Sequence, residues 1–79
     1  MNRSDIQSRL LGIVAECADV GADEVATSDH LYERVGMDSL GAVAMVVEIQ
    51  RAFGLAIPEA EIPRLVTVDL ITDFILDHE

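Results

Sequence analysis

The sequence predicts an all-α fold: a small four-helix bundle of three main helices and one short helix, with a long loop between the first two. Hydrophobic residues make up 51% of the chain but aromatic residues only 4%, so its core must be aliphatic, as in packed helices. Apolar residues also recur at helical spacing in separate stretches bounded by Gly, Pro, Ser or Thr. Because 79 residues is the size of one small domain, we expect residues 1–79 to form a single domain.

The first helix is predicted from Ser4-Asp5-Ile6-Gln7, a capping-box pattern with Ser4 as N-cap and Gln7 three positions later. Gly21 indicates its end. The apolar residues between them share one face, which we expect to pack in the core: Ile6, Leu10, Ile13, Cys17 and Val20. Cys17 is therefore expected to be a small core residue.

Residues 21–37 have no sustained hydrophobic period and predict a long loop. Loops longer than roughly 12–15 residues are uncommon in compact domains and are usually functional. We expect Leu31, Tyr32 and Val35 to anchor this loop to the core.

The second helix is predicted to begin at Asp38 or Ser39 and to run to about Phe53, with Gly54 just past its end. It carries two apolar faces, although a surface helix needs only one. The expected core face consists of Ala42, Met45, Val46, Ile49 and Phe53. The other face, here called the second strip, consists of Leu40, Val43 and Val47. The second strip is either covered by the long loop or open to a partner.

Two further helices are predicted towards the C-terminus. Pro58 favours the first position of a short helix that Pro63 stops. Thr67 is the expected N-cap of the last helix. The apolar residues of that helix are predicted to point inward: Val68, Ile71, Phe74 and Ile75.

The charge of the chain limits its partners. The net charge is −10, with 15 acidic residues against 5 Arg and no Lys. Such a surface repels nucleic acid and anionic lipid and complements basic protein surfaces. The chain has no signal-peptide pattern, no apolar run near the roughly 20 residues of a membrane span, and one cysteine. We expect a cytoplasmic monomer without disulfides that binds neither nucleic acid nor membrane.

Few residues could perform chemistry. His30 and His78 have no partner at a spacing that would indicate a metal site or a nucleophile–base pair. Both are expected to be solvated, and we predict neither an enzyme nor a metal protein. Ser39 differs, because a hydroxyl at a helix start lies beside unpaired backbone N–H groups that favour an attached anion. The alternative is that Asp38 or Ser39 is simply an N-cap.

The segment Gly36-Met37-Asp38-Ser39-Leu40 is followed, in order and at matching spacing, by Phe53-Gly54, Ile57-Pro58 and a final helix after Thr67. This series resembles the acyl carrier protein family over nearly the whole chain. The resemblance implies that a phosphopantetheinyl transferase moves 4′-phosphopantetheine from coenzyme A, with Mg²⁺, to Ser39. It implies that Asp38 helps to position metal and donor, and that the thiol of the arm then carries an acyl group as a thioester.

The resemblance also implies roles for both faces of the second helix. The second strip, with Glu48, would contact the transferase and the acyl-loading and chain-processing enzymes through their basic patches. An acyl pocket would lie between the second and last helices, lined by Val46, Ile49, Phe53 and Ile71.

The second helix also departs from the pattern of fatty-acid carriers, which hold several acids along it. Here Glu48 is the only acid after Asp38. This favours a specialised pathway such as polyketide assembly over general fatty-acid synthesis. A peptidyl carrier is disfavoured, because that group usually has His or a similar residue where Asp38 stands. A helical adaptor that binds enzymes without a covalent arm remains the main alternative.

Overall fold

A computed structural model describes all residues, 1–79, and its architecture confirms the predicted all-α bundle. The three main helices are α1 (Arg3–Ala18), α2 (Ser39–Phe53) and α3 (Val68–Asp77). The fourth member of the bundle is a 3₁₀ helix, Glu59–Arg64. One further 3₁₀ turn, Ala22–Glu24, lies within the long loop and was not predicted. None of these helices combines the length and apolar content needed to cross a bilayer.

The predicted N-terminus of α1 is wrong. Asn2, not Ser4, is the N-cap, and its side-chain oxygen accepts a hydrogen bond from the backbone N–H of Asp5 at 2.9 Å. Gln7 does not close a capping box, since its side-chain amide donates to Asp69 of α3 at 2.8 Å. The helix ends at Ala18 rather than near Gly21, because Asp19 adopts the left-handed conformation, with φ of 56°.

The buried face of α1 differs in part from the predicted one. Ile6 and Leu10 are fully buried as predicted, but Val14 and Ala15 complete the buried set. Ile13, Cys17 and Val20 are only partly buried and pack at the edge of the core. The predicted role of Cys17 as a core residue is therefore only partly right.

The bounds of α2 and the N-cap of α3 are confirmed. Asp38 is the N-cap of α2, and Gly54 ends it with φ of 64°, a conformation that favours glycine. Thr67 caps α3 by accepting from the N–H of Leu70 at 3.0 Å. All four residues predicted to point inward from α3 are buried.

The short helix was predicted less well. Pro58 is its N-cap rather than its first residue, and Pro63 lies inside it instead of stopping it. A 3₁₀ segment tolerates this proline, because it lacks the regular i to i−4 hydrogen bonds that proline interrupts in an α-helix.

One aliphatic core joins the helices and the long loop. Helix α1 packs against both α2 and α3. In α2 the most deeply buried side chains are Met45 and Ile49, whereas Ala42, Val46 and Phe53 are partly buried. The loop contributes Leu31, which is buried as predicted, and also Val25 and Met37. Because Met37 directly precedes Asp38, its burial in this core holds the N-terminus of α2 in place.

Candidate functional site

The start of α2 presents Asp38 and Ser39 on the surface, where both are exposed. One carboxylate oxygen of Asp38 accepts a hydrogen bond from the backbone N–H of Gly41 at 2.7 Å. Its backbone carbonyl accepts from Ala42 at 2.9 Å. Ser39 is the first residue of the helix, and its own N–H and that of Leu40 donate to no acceptor within the protein. Asp38 is therefore the N-cap, and donors beside Ser39 remain free for an anion on its hydroxyl.

The long loop fixes where α2 begins. The N–H of Leu31 donates to the carbonyl of Val66 at 2.8 Å, and the N–H of Met37 donates to the carbonyl of Leu31 at 2.9 Å. Gly36 has φ of 88°, in the region that favours glycine. These contacts tie the residues just before Asp38 to the buried Leu31 and to the segment before α3. The loop thus positions the helix start rather than covering it.

His30 has a structural role that the sequence did not indicate. Its Nδ1 accepts hydrogen bonds from the backbone N–H groups of Tyr32 and Glu33, at 3.3 and 3.1 Å. The imidazole also packs edge-on against the ring of Tyr32. His78, by contrast, stacks on Phe74 near the C-terminus. His78 is exposed, as expected, whereas His30 is half-buried and not merely solvated. Neither histidine joins a cluster of metal-ligating side chains.

The second strip is open. Leu40, Val43 and Val47 expose 81%, 64% and 39% of their surface. A groove beside it, with a volume of about 180 Å³, has only apolar side chains in its walls: Ala42, Val43, Val46, Val47 and Ile62. The sequence left two alternatives, that the long loop covers the second strip or that the strip is open. The structure shows that the loop does not cover it. An exposed apolar patch on a small protein is typical of a contact surface.

The interior between α2, the loop and α3 holds almost no free space. A cavity of about 10 Å³, room for at most one water, is lined by Val46, Ile49 and Ile71 of the predicted acyl pocket. Phe53 is not in its wall. The remaining lining residues were not predicted: Tyr32, Met45, Ile57, Ile62 and Leu65. Tyr32 comes from the long loop and Ile62 from the 3₁₀ helix, and Ile57 and Leu65 flank that helix. No periodic pattern indicates how these segments pack.

The charges near the site are mostly acidic and exposed. Glu48 forms an ion pair with Arg51 at 3.6 Å. The pKa of the Cys17 thiol is raised, first by burial and then by the nearby carboxylates of Glu16 and Glu48. The carboxylates of Glu16 and Glu48 therefore both lie near the Cys17 thiol, between α1 and α2.

Comparison with known proteins gives a family match. The family model "Phosphopantetheine attachment site" matches residues 8–75. The chain is 30% identical to an acyl carrier protein of Rubrobacter xylanophilus, over 100% of this chain and 98% of that relative. It is 33% identical to an acyl carrier protein of Thermosynechococcus vestitus, over 95% of this chain and 93% of that relative.

A relative from a plant is equally similar. "Acyl carrier protein 2, mitochondrial" of Arabidopsis thaliana is 30% identical, over 99% of this chain and 62% of that relative. The family model and these relatives together indicate that the cofactor of this chain is covalently attached 4′-phosphopantetheine.

Proposed function

We propose that Ser39 carries the 4′-phosphopantetheine of this chain, because the chain belongs to the acyl carrier protein family. The observation that carries the proposal is the Asp38-Ser39-Leu40 motif at the exposed head of α2, with free N–H donors beside the hydroxyl. When bound, the group supplies a thiol that holds an acyl chain as a thioester. The protein itself is a carrier that presents the bound acyl group to other enzymes.

The other serines show why the motif is needed for this assignment. The chain has four serines, at positions 4, 8, 28 and 39, and all of them are exposed. Ser4 also lies in the first turn of a helix, so a helix start alone does not single out Ser39. Only Ser39 follows an N-capping aspartate and precedes an exposed leucine that begins an apolar strip.

Intact mass spectrometry tests the assignment. Apo protein is incubated with coenzyme A, Mg²⁺ and a broad-specificity phosphopantetheinyl transferase. Wild type and Ser4→Ala are expected to gain one phosphopantetheinyl group, whereas Ser39→Ala gains none. Ser4→Ala is the matched control, because it also removes an exposed hydroxyl from the first turn of a helix. Modification of Ser39→Ala would refute the assignment.

We propose that Asp38 has two roles, as N-cap and as a charged group that supports the transfer. One of its oxygens caps Gly41, and its second oxygen is free to face the metal and donor of the transferase complex. Asn caps helices about as well as Asp does, but its side chain carries no charge. Asp38→Asn should therefore keep the stability of the protein but slow loading of Ser39. Unchanged loading by this variant would show that capping is the only role of Asp38.

We propose that the second strip and Glu48 dock the transferase and the acyl-processing enzymes. The exposure of Leu40 and Val43 supports this, since an apolar side chain left in water gains free energy when a partner covers it. Leu40→Ser should weaken loading of Ser39 without loss of stability. A non-covalent adaptor would use the same strip, but its activity in cells would survive Ser39→Ala, which separates the two functions.

We propose a specialised pathway, such as polyketide assembly, for the cargo. Within α2 the only acid is Glu48, so this helix offers fewer charges to the basic patches of fatty-acid-synthesis enzymes than a fatty-acid carrier with several acids along it would. Holo protein should therefore be acylated faster by a polyketide malonyltransferase than by its fatty-acid-synthesis counterpart. Equal rates with both enzymes would remove the support for this choice.

We propose that Val46, Ile49 and Ile71 border the space that an acyl chain would enter. They already line the small cavity between α2 and α3. The NMR chemical shifts of their methyl groups should change when the arm on Ser39 carries an octanoyl chain. The ring signals of Phe53 should change less. No movement at these methyls would show that the chain stays outside the core.

We further propose that residues 1–79 act as one carrier domain in the cytoplasm. A single buried core that draws on all three main helices supports the first part. The lone, partly buried cysteine fits a reducing compartment, although one relative is named as mitochondrial. Cell fractionation tests the location, and one cooperative unfolding transition tests the single domain.

A further inference from the structure

The imidazole of His30 holds together a turn in the long loop. Its Nδ1 accepts hydrogen bonds from the backbone N–H groups of Tyr32 and Glu33, two and three residues further along the chain. The backbone carbonyl of His30 also accepts from the N–H groups of Arg34 and Val35, at 2.9 and 3.1 Å. One residue therefore binds four N–H groups of the same turn. We call the two hydrogen bonds at Nδ1 the His30 cap.

The geometry of the His30 cap requires a neutral ring. An imidazole nitrogen that accepts a hydrogen bond carries no proton, so the neutral ring must hold its single proton on Nε2. At most turns this contact is made by a side-chain oxygen of Asn, Asp or Ser, which remains an acceptor near neutral pH. Histidine is different, because an imidazole ordinarily changes charge between about pH 5 and pH 8. Protonation of Nδ1 replaces the acceptor by a donor that faces two other donors.

The charged groups on the same loop offset this loss only in part. The carboxylate of Glu33 lies 3.8 Å from Nε2 and attracts a charged ring, but its side chain is 82% exposed. An ion pair in such a position contributes little. Asp29 and Arg34, on either side of His30 along the chain, lie 4.0 Å apart and pair with each other. The ring of Tyr32 packs edge-on against the imidazole.

The charged side chains of the neighbouring elements are engaged elsewhere. Asp69, at the start of α3, binds Gln7 and lies 3.6 Å from Arg3, both on α1. Arg64 of the 3₁₀ helix pairs with Glu61 of the same helix. No side chain of another element forms a hydrogen bond or an ion pair with the imidazole. Nothing outside the loop therefore compensates for the acceptor that protonation removes.

The turn is tied to the start of α2 through Leu31. The buried Leu31 accepts at its carbonyl from the N–H of Met37 at 2.9 Å, and its own N–H donates to the carbonyl of Val66 at 2.8 Å. Met37 directly precedes Asp38, the N-cap of α2. Opening of the turn at His30 therefore loosens the support on which α2 begins.

We propose that the His30 cap makes the long loop sensitive to pH. Protonation of the ring releases the N–H groups of Tyr32 and Glu33 and opens the turn. The opened turn no longer holds Leu31 against Met37. Because the closed turn binds only the neutral ring, acid favours the open turn. This regulatory device goes beyond the carrier function, since it concerns the loop whichever serine carries the arm.

Hydrogen exchange of backbone amides, followed by NMR at about pH 7.5 and about pH 5.5, tests the proposal. Protection factors correct for the intrinsic pH dependence of exchange and report how often each amide opens. In wild type the protection of Tyr32, Glu33 and Met37 should fall by about five- to tenfold at the lower pH, which is equivalent to about 1–1.4 kcal/mol. Nitrogen NMR of the His30 ring should show a proton on Nε2 and none on Nδ1 at the higher pH.

His30→Asn is the matched control. Its side-chain oxygen lies the same number of bonds from Cα as Nδ1 does, so it can cap the turn without changing charge. Its protection factors should change by less than about twofold between the two pH values. His78→Gln should respond as wild type does, because the other histidine lies at the end of α3 and outside the loop.

Three results would overturn the proposal. The first is a wild type that keeps its protection in acid, and the second is a loss in His30→Asn as large as that in wild type. The third is a proton on Nδ1 at the higher pH. A loss confined to Tyr32 and Glu33, with Met37 unchanged, would overturn the coupling to the start of α2.

Discussion

Two glycines in the bundle should respond to the same substitution with opposite signs. Gly41 lies buried in the first turn of α2, and an added Cβ would meet the carbonyl oxygen of Cys17 at 2.6 Å. Ordinary van der Waals contact begins near 3.4 Å, and a backbone atom cannot rotate away as a side chain can. Gly12 lies exposed within α1, and nothing is within 4 Å of its added Cβ.

The expected magnitudes follow from these distances. Alanine in place of helical glycine gains about 0.5–1 kcal/mol of stability where space is free, so Gly12→Ala should stabilise the protein by about that amount. At Gly41 the same gain is opposed by an overpacking cost of about 1–3 kcal/mol, because α1 must move away from α2. The methyl group would also crowd the capping oxygen of Asp38, which lies 3.2 Å away. The two contributions leave a net loss of about 0–2.5 kcal/mol for Gly41→Ala, and the crowded capping oxygen favours the upper part of that range.

Urea unfolding followed by circular dichroism measures both free energies. In thermal melts, each 1 kcal/mol should shift the midpoint by about 4–8 °C for a domain of this size. Gly12→Ala serves as the control for helix propensity. If Gly41→Ala proves as stable as Gly12→Ala, the close approach of α1 and α2 at Gly41 is refuted.

Three other variants test the packing and the loop. Ile49→Ala should cost about 2–5 kcal/mol of unfolding free energy, because Ile49 is 1% exposed, whereas Val43→Ala should change it by less than about 0.5 kcal/mol; equal losses in urea titrations would mean that the second strip is internal. His30→Ala should cost about 1 kcal/mol of unfolding free energy, because two backbone N–H groups lose their acceptor. An unchanged urea midpoint would show that these two hydrogen bonds do not stabilise the fold. Burial and neighbouring carboxylates raise the pKa of Cys17, so the folded state keeps a proton that the unfolded state loses. Stability should therefore fall as pH rises above about 8.5, and this part of the fall should be absent in Cys17→Ala; an identical pH profile would contradict it.

Local patterns predicted the parts of the fold that local physics controls. The start of α2 at Asp38, its end at Gly54 and the cap of α3 at Thr67 depend on residues within one turn of each helix end. The N-terminus of α1 was mispredicted because the capping-box pattern pointed to Ser4, whereas the side chain of Asn2 caps the helix two residues earlier. Gln7 then formed a contact with α3, which only the tertiary structure could reveal.

The candidate site divides in the same way. Helical periodicity predicted the residues of the second strip, whereas its exposure could be read only from the fold, because the long loop could have covered it. The walls of the cavity could not be predicted, since Tyr32 and Ile57 come from segments without a period and depend on how the loop folds back.

Peptide mapping of the loaded protein tests the central claim most directly. Wild type is loaded by the transferase and digested, and the modified residue is located by tandem mass spectrometry. Phosphopantetheine is expected on Ser39 alone, with Ser4, Ser8 and Ser28 unmodified. Phosphopantetheine on any of these three exposed serines, or an unmodified Ser39 in fully loaded protein, would contradict it.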